Sequence, residues 1–162
     1  MKKILFAASE AVPFMKTGGL ADVTGSLPKY FDKKNYDVRV ILPKYVCMEE
    51  RWKGQLHFLC HFYVNLSWRK QYVGIFETTY DGITYYLVDN EFYFAGNAPY
   101  NNIYEDVEKF AFFSKAVLEA LPYLDFCPDI IHCHDWQTGL LPVFLRTLYG
   151  DEEYYTGIKT VF

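Results

Sequence analysis

The chain has 162 residues, 51% of them hydrophobic and 20% aromatic, and a formal net charge of −4. That is about one domain, with enough apolar material for a core, and the mildly acidic balance without a basic face argues against a nucleic-acid partner. No apolar run is long enough to span a bilayer, so a membrane is not expected as a partner either.

The opening Met1-Lys-Lys-Ile-Leu-Phe briefly mimics a signal peptide. Ser9 and Glu10 end the apolar stretch, so Lys3 to Ser9 reads instead as a strand buried on both faces, and the expected compartment is the cytoplasm. A loop from Glu10 to Gly19 follows, then a helical pattern with Leu20, Val23, Leu27, Tyr30 and Phe31 near one face. Pro28 interrupts it, and Ser26 is placed to cap a second segment, which predicts a kinked or broken helix. Asp37 to Leu42 is the second strand, closing a right-handed βαβ unit.

The middle changes character. Gln55 to Asn65, Gln71 to Thr79 and Thr84 to Val88 are rich in Val, Tyr, Phe and Ile, with Asp81-Gly82 marking a hairpin, so an antiparallel extension of the sheet is expected. Residues 90–105 read as a loop. Val107, Phe110, Ala111, Ser114, Val117, Leu118 and Leu121 give helical spacing up to Pro122. Asp129 to Cys133 is another buried strand, a helix covers roughly Thr138 to Leu148, and Ile158 to Phe162 starts a further strand. The four cysteines (Cys47, Cys60, Cys127, Cys133) form no C-x-x-C pair and read as reduced, packed thiols.

Three segments carry candidate chemistry. Lys16-Thr17-Gly18-Gly19 lies between the first strand and the first helix. Its glycines let backbone N–H groups approach a ligand, and a helix starting there adds unpaired N–H groups, so the segment suits a diphosphate as well as it suits a tight turn with a solvated lysine. Neither a dinucleotide fingerprint nor a Walker loop is present. His132-Cys133-His134-Asp135-Trp136 runs off a strand's carboxyl end, where open α/β sheets bind ligands. The two histidines read as hydrogen-bonding groups rather than metal ligands, since no third ligand is evident. Asp135 is either a helix cap or a group facing a sugar; Trp136 is either core or a stacking platform. Asn90-Glu-Phe-Tyr-Phe94 follows another strand, and Tyr93 either points at the ligand or packs.

With these residues in view a family resemblance emerges. K-K-I-L-F-A-A-S-E-A-V-P-F-M-K-T-G-G-L-A-D-V-T-G-S-L-P-K at the start resembles the opening of bacterial glycogen synthases and plant starch synthases. D-V-R-V-I-L-P-K-Y at 37–45, V-E-K-F-A-F-F-S-K-A at 107–116 and D-I-I-H-C-H-D-W-Q-T-G-L-L-P at 129–142 continue it across the chain. The resemblance implies a Rossmann-like α/β domain, mostly parallel with an antiparallel hairpin extension. It would be the amino-terminal, acceptor-side half of a two-domain GT-B glycosyltransferase with the active site in the cleft. It implies retaining transfer of glucose from ADP-glucose to the 4-hydroxyl at the non-reducing end of an α-1,4-glucan such as glycogen, with no metal or other cofactor. On that pattern Asp135 is catalytic, Lys16, Gly18 and Gly19 hold the nucleotide sugar, Tyr93 and Trp136 line the glucose and glucan side, and His134 binds substrate.

There are departures. Lys109 stands where the family usually has arginine, keeping the charge but losing the planar fork. Ala95-Gly96-Asn97 lacks the arginine often found soon after the Tyr-Phe pair. The sequence reads as one truncated domain, 1–162, without the second, nucleotide-sugar domain, and is expected to be inactive alone. The competing readings are a related GT-B transferase using UDP-glucose and a non-catalytic glucan- or nucleotide-binding module.

Overall fold

A computed structural model describes residues 1–162. Seven strands form one sheet: β1 (Lys2–Ala7), β2 (Tyr36–Pro43), β3 (His57–Leu66), β4 (Arg69–Tyr80), β5 (Ile83–Asp89), β6 (Ile130–Cys133) and β7 (Lys159–Val161), in the order β3-β4-β5-β2-β1-β6-β7. The β5-β2-β1-β6-β7 part is parallel, and β3-β4-β5 is an antiparallel meander. This is the mixed α/β sheet expected. Asp81 and Gly82 both take positive φ (50° and 73°), the backbone a tight two-residue hairpin requires.

Central strands are apolar on both faces because both faces are covered. Leu5, Ile41, Tyr86 and Ile131 project into a core cluster of 29 residues, while Phe6, Val40, Leu42 and Tyr85 project into one of 11. The imbalance follows from the helices. The larger cluster receives α3 (Ile103–Ala120) and α4 (Leu140–Thr147). The smaller face is closed by loop residues such as Ala11, Phe14 and Met48 and by Phe31, whose ring meets Phe6 edge-on at 6.0 Å.

The first helix breaks as expected: α1 (Gly19–Ser26) gives way to a 3₁₀ turn, Leu27–Tyr30, with Pro28 in its first turn. Two details differ. The Ser26 side chain makes no capping bond. The buried face of α1 is Ala21, Thr24 and Gly25, while Val23, Leu27 and Tyr30 are exposed. Small residues face inward because the helix lies against backbone: a β-carbon on Gly25 would stand 2.5 Å from the Val12 carbonyl oxygen, and Thr24 Oγ1 donates to the Glu10 carbonyl at 2.6 Å.

α3 begins at Ile103, inside the segment read as loop, because the Asn102 side chain caps it by accepting from the Tyr104 and Glu105 amides. A one-turn helix, α2 (Glu50–Lys53), is an addition to the expected elements. All four cysteines are unpaired. Cys133 is buried and Cys47 and Cys60 are partly so, but Cys127 is exposed and is not a packed thiol. No helix is long and apolar enough to cross a membrane.

Candidate active site

β1 and β6 are neighbours in parallel register, with Ala7 opposite Cys133 and the His134 amide donating to the Ala7 carbonyl at 3.0 Å. The loops leaving their carboxyl ends therefore start side by side, and the two main candidate segments share one sheet edge.

On the β1 side, Ser9 and Glu10 are buried. The Glu10 carboxylate accepts from the Thr17 amide at 2.5 Å and lies 4.0 Å from where a β-carbon on Gly18 would be. This internal acceptor folds the loop back so that Gly18 becomes the N-cap of α1. No side chain caps the first-turn N–H groups, and a β-carbon on Gly19 would meet nothing within 4 Å. The approach to this helix end is open. Lys16 Nζ sits beside it, 2.7 Å from both carboxylate oxygens of Asp22 in the first turn of α1.

On the β6 side, Asp135 has φ 64° and ψ 175°, a region that is essentially glycine's. Its exposed carboxylate accepts from the Trp136 amide at 2.7 Å, starting the 3₁₀ turn Trp136–Thr138. Strain of this kind persists only where surrounding contacts fix the backbone. Here Thr138 Oγ1 donates to the His134 carbonyl at 2.9 Å, and Trp136 packs edge-on against Phe110 of α3 at 5.5 Å with half its surface exposed. The His132 and His134 rings lie 4.1 Å apart against Phe6, and no third His, Cys, Asp or Glu joins them. Burial, reinforced by His132, pushes the His134 pKa down to about 4, so the ring is neutral at pH 7. Its Nε2 is buried without a protein partner.

Tyr93 is placed differently. Its ring stacks on Phe112 at 4.6 Å and its hydroxyl donates to Glu108 at 2.7 Å, which, after burial, further raises its pKa. It is packed in a cluster with Arg69 and Glu108 rather than brought together with Lys16 and the glycines. Lys109, which stands where the family usually has arginine, is a buried point charge donating to the Pro99 carbonyl and to Asp106, each at 2.8 Å.

The chain-order reading missed Glu10 and Tyr100. Tyr100 bonds to the β1 side: its hydroxyl is 2.7 Å from Ser9 Oγ, its ring meets Phe110 of α3 at 5.9 Å, and burial together with the charges of Glu10 and Asp135 raises its pKa to about 12. Tyr45 donates to the Ser9 carbonyl at 2.8 Å from a third loop. A glutamate directly after an apolar strand run was a usable signal. A tyrosine 91 residues from its partner was not.

The family profile described as starch synthase catalytic domain matches residues 3–162. The chain belongs to that family. Among curated members it is 66% identical to the glycogen synthase of Lachnoclostridium phytofermentans over 161 residues, covering 99% of this chain and 34% of the relative. It is 61% identical to the glycogen synthase of Lachnospira eligens over the same share of each. Among solved structures, the catalytic domain of Starch Synthase IV from Arabidopsis thaliana bound to ADP and acarbose superposes with a TM-score of 0.85 at 28% identity, covering 98% of this chain and 32% of that one. The chain thus spans about a third of the length of the starch synthase family members it matches, and the edge that carries Lys16 and Asp135 belongs to a starch synthase fold.

Proposed function

We propose that this chain supplies the acceptor-side half of a glycogen synthase that transfers glucose, with retention, from ADP-glucose to the 4-hydroxyl of an α-1,4-glucan end. The observation that carries this is the pairing, on adjacent β1 and β6 ends, of an open, uncapped helix N-terminus beside Lys16 with a strained Asp135. The family membership and the glycogen synthase relatives support it.

The roles follow from charge. As the glycosidic bond to the diphosphate breaks, negative charge grows on the leaving oxygen and positive charge on the sugar. The amides at Gly18 and Gly19 and the Lys16 ammonium meet the first, leaving Asp22 for the phosphate. The Asp135 carboxylate meets the second. Neutral His134 adds no charge beside Asp135 on the substrate side, and Trp136 offers a ring face. Tyr93 contributes by holding the wall of the acceptor side through Glu108. No metal is assigned a role, since the helix end and Lys16 supply the positive charge the leaving group needs. The cytoplasm is the compartment proposed.

The test is a glucosyl-transfer assay on the protein in which this chain occurs at its relatives' length, offering ADP-glucose or UDP-glucose with glycogen. Elongation is expected, faster with ADP-glucose. A faster UDP-glucose reaction overturns the donor assignment. No transfer from a folded protein overturns the synthase reading in favour of a binding module. The isolated 162-residue chain is expected to elongate nothing.

A further inference from the structure

The sheet ends at β3, whose outer row of backbone N–H and C=O groups has no partner strand. Natural edge strands are blunted by charged side chains, proline, bulges or a covering element, because an open edge is a template for another strand. β3 carries little of this protection. Across residues 57–68 there is no Asp, Glu, Lys, Arg, Gly or Pro. A bulge at Leu59 bends one end, and near the other Lys115 of α3 donates to the Asn65 carbonyl at 2.6 Å. Between them residues 60–64 run in unbroken register with β4 and are open along their other side.

Both flanks of this edge are apolar. Towards α3, Phe62 and Val64 are buried and the Phe62 ring stacks on Tyr123 at 4.8 Å, so the edge is backed by core. On the opposite face the bulge brings Phe58 to the same side as His61 and Tyr63, across from Phe76, Gly74 and Tyr72 of β4. Their rings form a row, with Phe58 5.4 Å from Phe76, His61 5.9 Å from Tyr72, and Tyr63 6.0 Å from Tyr72. Phe58 and Tyr63 are still half exposed, and Trp68, at the β3–β4 turn, is 84% exposed. Lys70 of β4 holds its ammonium over the Tyr63 ring at 5.1 Å.

A second copy of the chain suits this edge. Two antiparallel strands related by a twofold set the same side chains against one another, so a charge near the axis would meet its own kind at a cost. β3 has no such charge, and the backbone of an antiparallel pair is complementary to itself. An edge ~33 Å long and ~15 Å deep with its rings offers on the order of 500 Å² per chain, or ~1,000 Å² in the pair, the low end for a specific interface. Such a pair should associate in the micromolar range.

We propose that β3 pairs antiparallel with β3 of a second copy, joining two seven-stranded sheets into one and making the protein a twofold dimer. The proposal stands apart from the glucan-synthase reading, since none of these residues belongs to the candidate active site. The test is sedimentation velocity on the protein at its relatives' length, from roughly 1 to 100 µM. The mass should rise from one chain to two across that range, and amide hydrogen exchange at residues 60–64 should slow as it does. Two double variants, His61→Glu with Tyr63→Glu and His61→Lys with Tyr63→Lys, place like charges at the seam on exposed positions. Each alone should remain a single chain, and an equimolar mixture of the two should pair again. A wild-type protein that is a single chain at 100 µM overturns the proposal, as do variants that pair as wild type does. A mixture that stays single, or growth beyond two chains, overturns the closed antiparallel seam. Since glucosyl transfer enters none of these readouts, its loss or retention bears only on the catalytic reading.

Discussion

Asp135 allows backbone strain and side-chain chemistry to be separated by two substitutions. Its φ of 64° and ψ of 175° cost about 1–3 kcal/mol for any residue with a β-carbon. The bond from its carboxylate to the Trp136 amide returns about 1 kcal/mol. Asp135→Ala loses that bond and keeps the strain. Asp135→Gly loses the bond and about 0.5–1 kcal/mol of chain entropy, but releases the strain. The glycine variant should therefore lie within about 1 kcal/mol of wild type, and the alanine variant roughly 1–2 kcal/mol below the glycine variant. In a domain of this size that gap is roughly 2–8 °C in Tm. Thermal unfolding of the 162-residue chain and a glucosyl-transfer assay on the protein at its relatives' length, each with both substitutions, read stability and chemistry separately. Both should lose transfer although they differ in stability. An alanine variant as stable as the glycine variant refutes the strain argument, and full transfer by either removes Asp135 from the reaction.

Three other expectations concern neighbouring groups. Gly25→Ala gains about 1 kcal/mol of helix propensity but drives a methyl into the Val12 backbone; a net loss of about 1–2 kcal/mol in urea unfolding is expected, with a raised KM for the nucleotide sugar as the start of α1 shifts. Because burial holds the folded His134 pKa at about 4, below its ordinary 6.5, the unfolded chain binds the extra proton first. Stability should be flat above pH 6.5 and fall by up to roughly 3 kcal/mol as pH drops toward 4, and His134→Gln should flatten urea midpoints measured across that window. The Lys16–Asp22 pair is half exposed (52% and 55%), so Lys16→Ala should cost under ~1 kcal/mol of stability while lowering transfer roughly a hundredfold, as kinetics with ADP-glucose will report.

Where local chemistry decides, the sequence was readable. Asp81-Gly82 placed its turn, Pro28 broke its helix, and the apolar runs gave the parallel strands their positions. The face of α1 was not readable from periodicity, because helix packing against a bare backbone rewards Ala21, Thr24 and Gly25 over the larger Val23 and Leu27. The start of α3 was missed because aromatic and Asn-rich sequence masked the Asn102 cap. At the site, the motif residues were visible as a cluster on one sheet edge, whereas Tyr100 and Arg69 reach their partners only through tertiary structure. Tyr93 shows the converse: it lies in a motif, yet its hydroxyl is spent on Glu108.

The segment between β5 and α3 is tied down unevenly. Asn90 fixes its start, donating to the Tyr72 carbonyl and accepting from the Phe92 and Tyr93 amides. Pro99, Tyr100 and Asn101 fix its end through Lys109, Ser9 and Asp106. Between these anchors, Gly96 at φ 110° stands in open space. Extra residues inserted at Gly96 would bulge into solvent with both anchors intact, whereas the same insertion after Pro99 would detach Tyr100 from Ser9 and loosen the loop that leaves β1. The length of this segment is thus free to vary only at its tip.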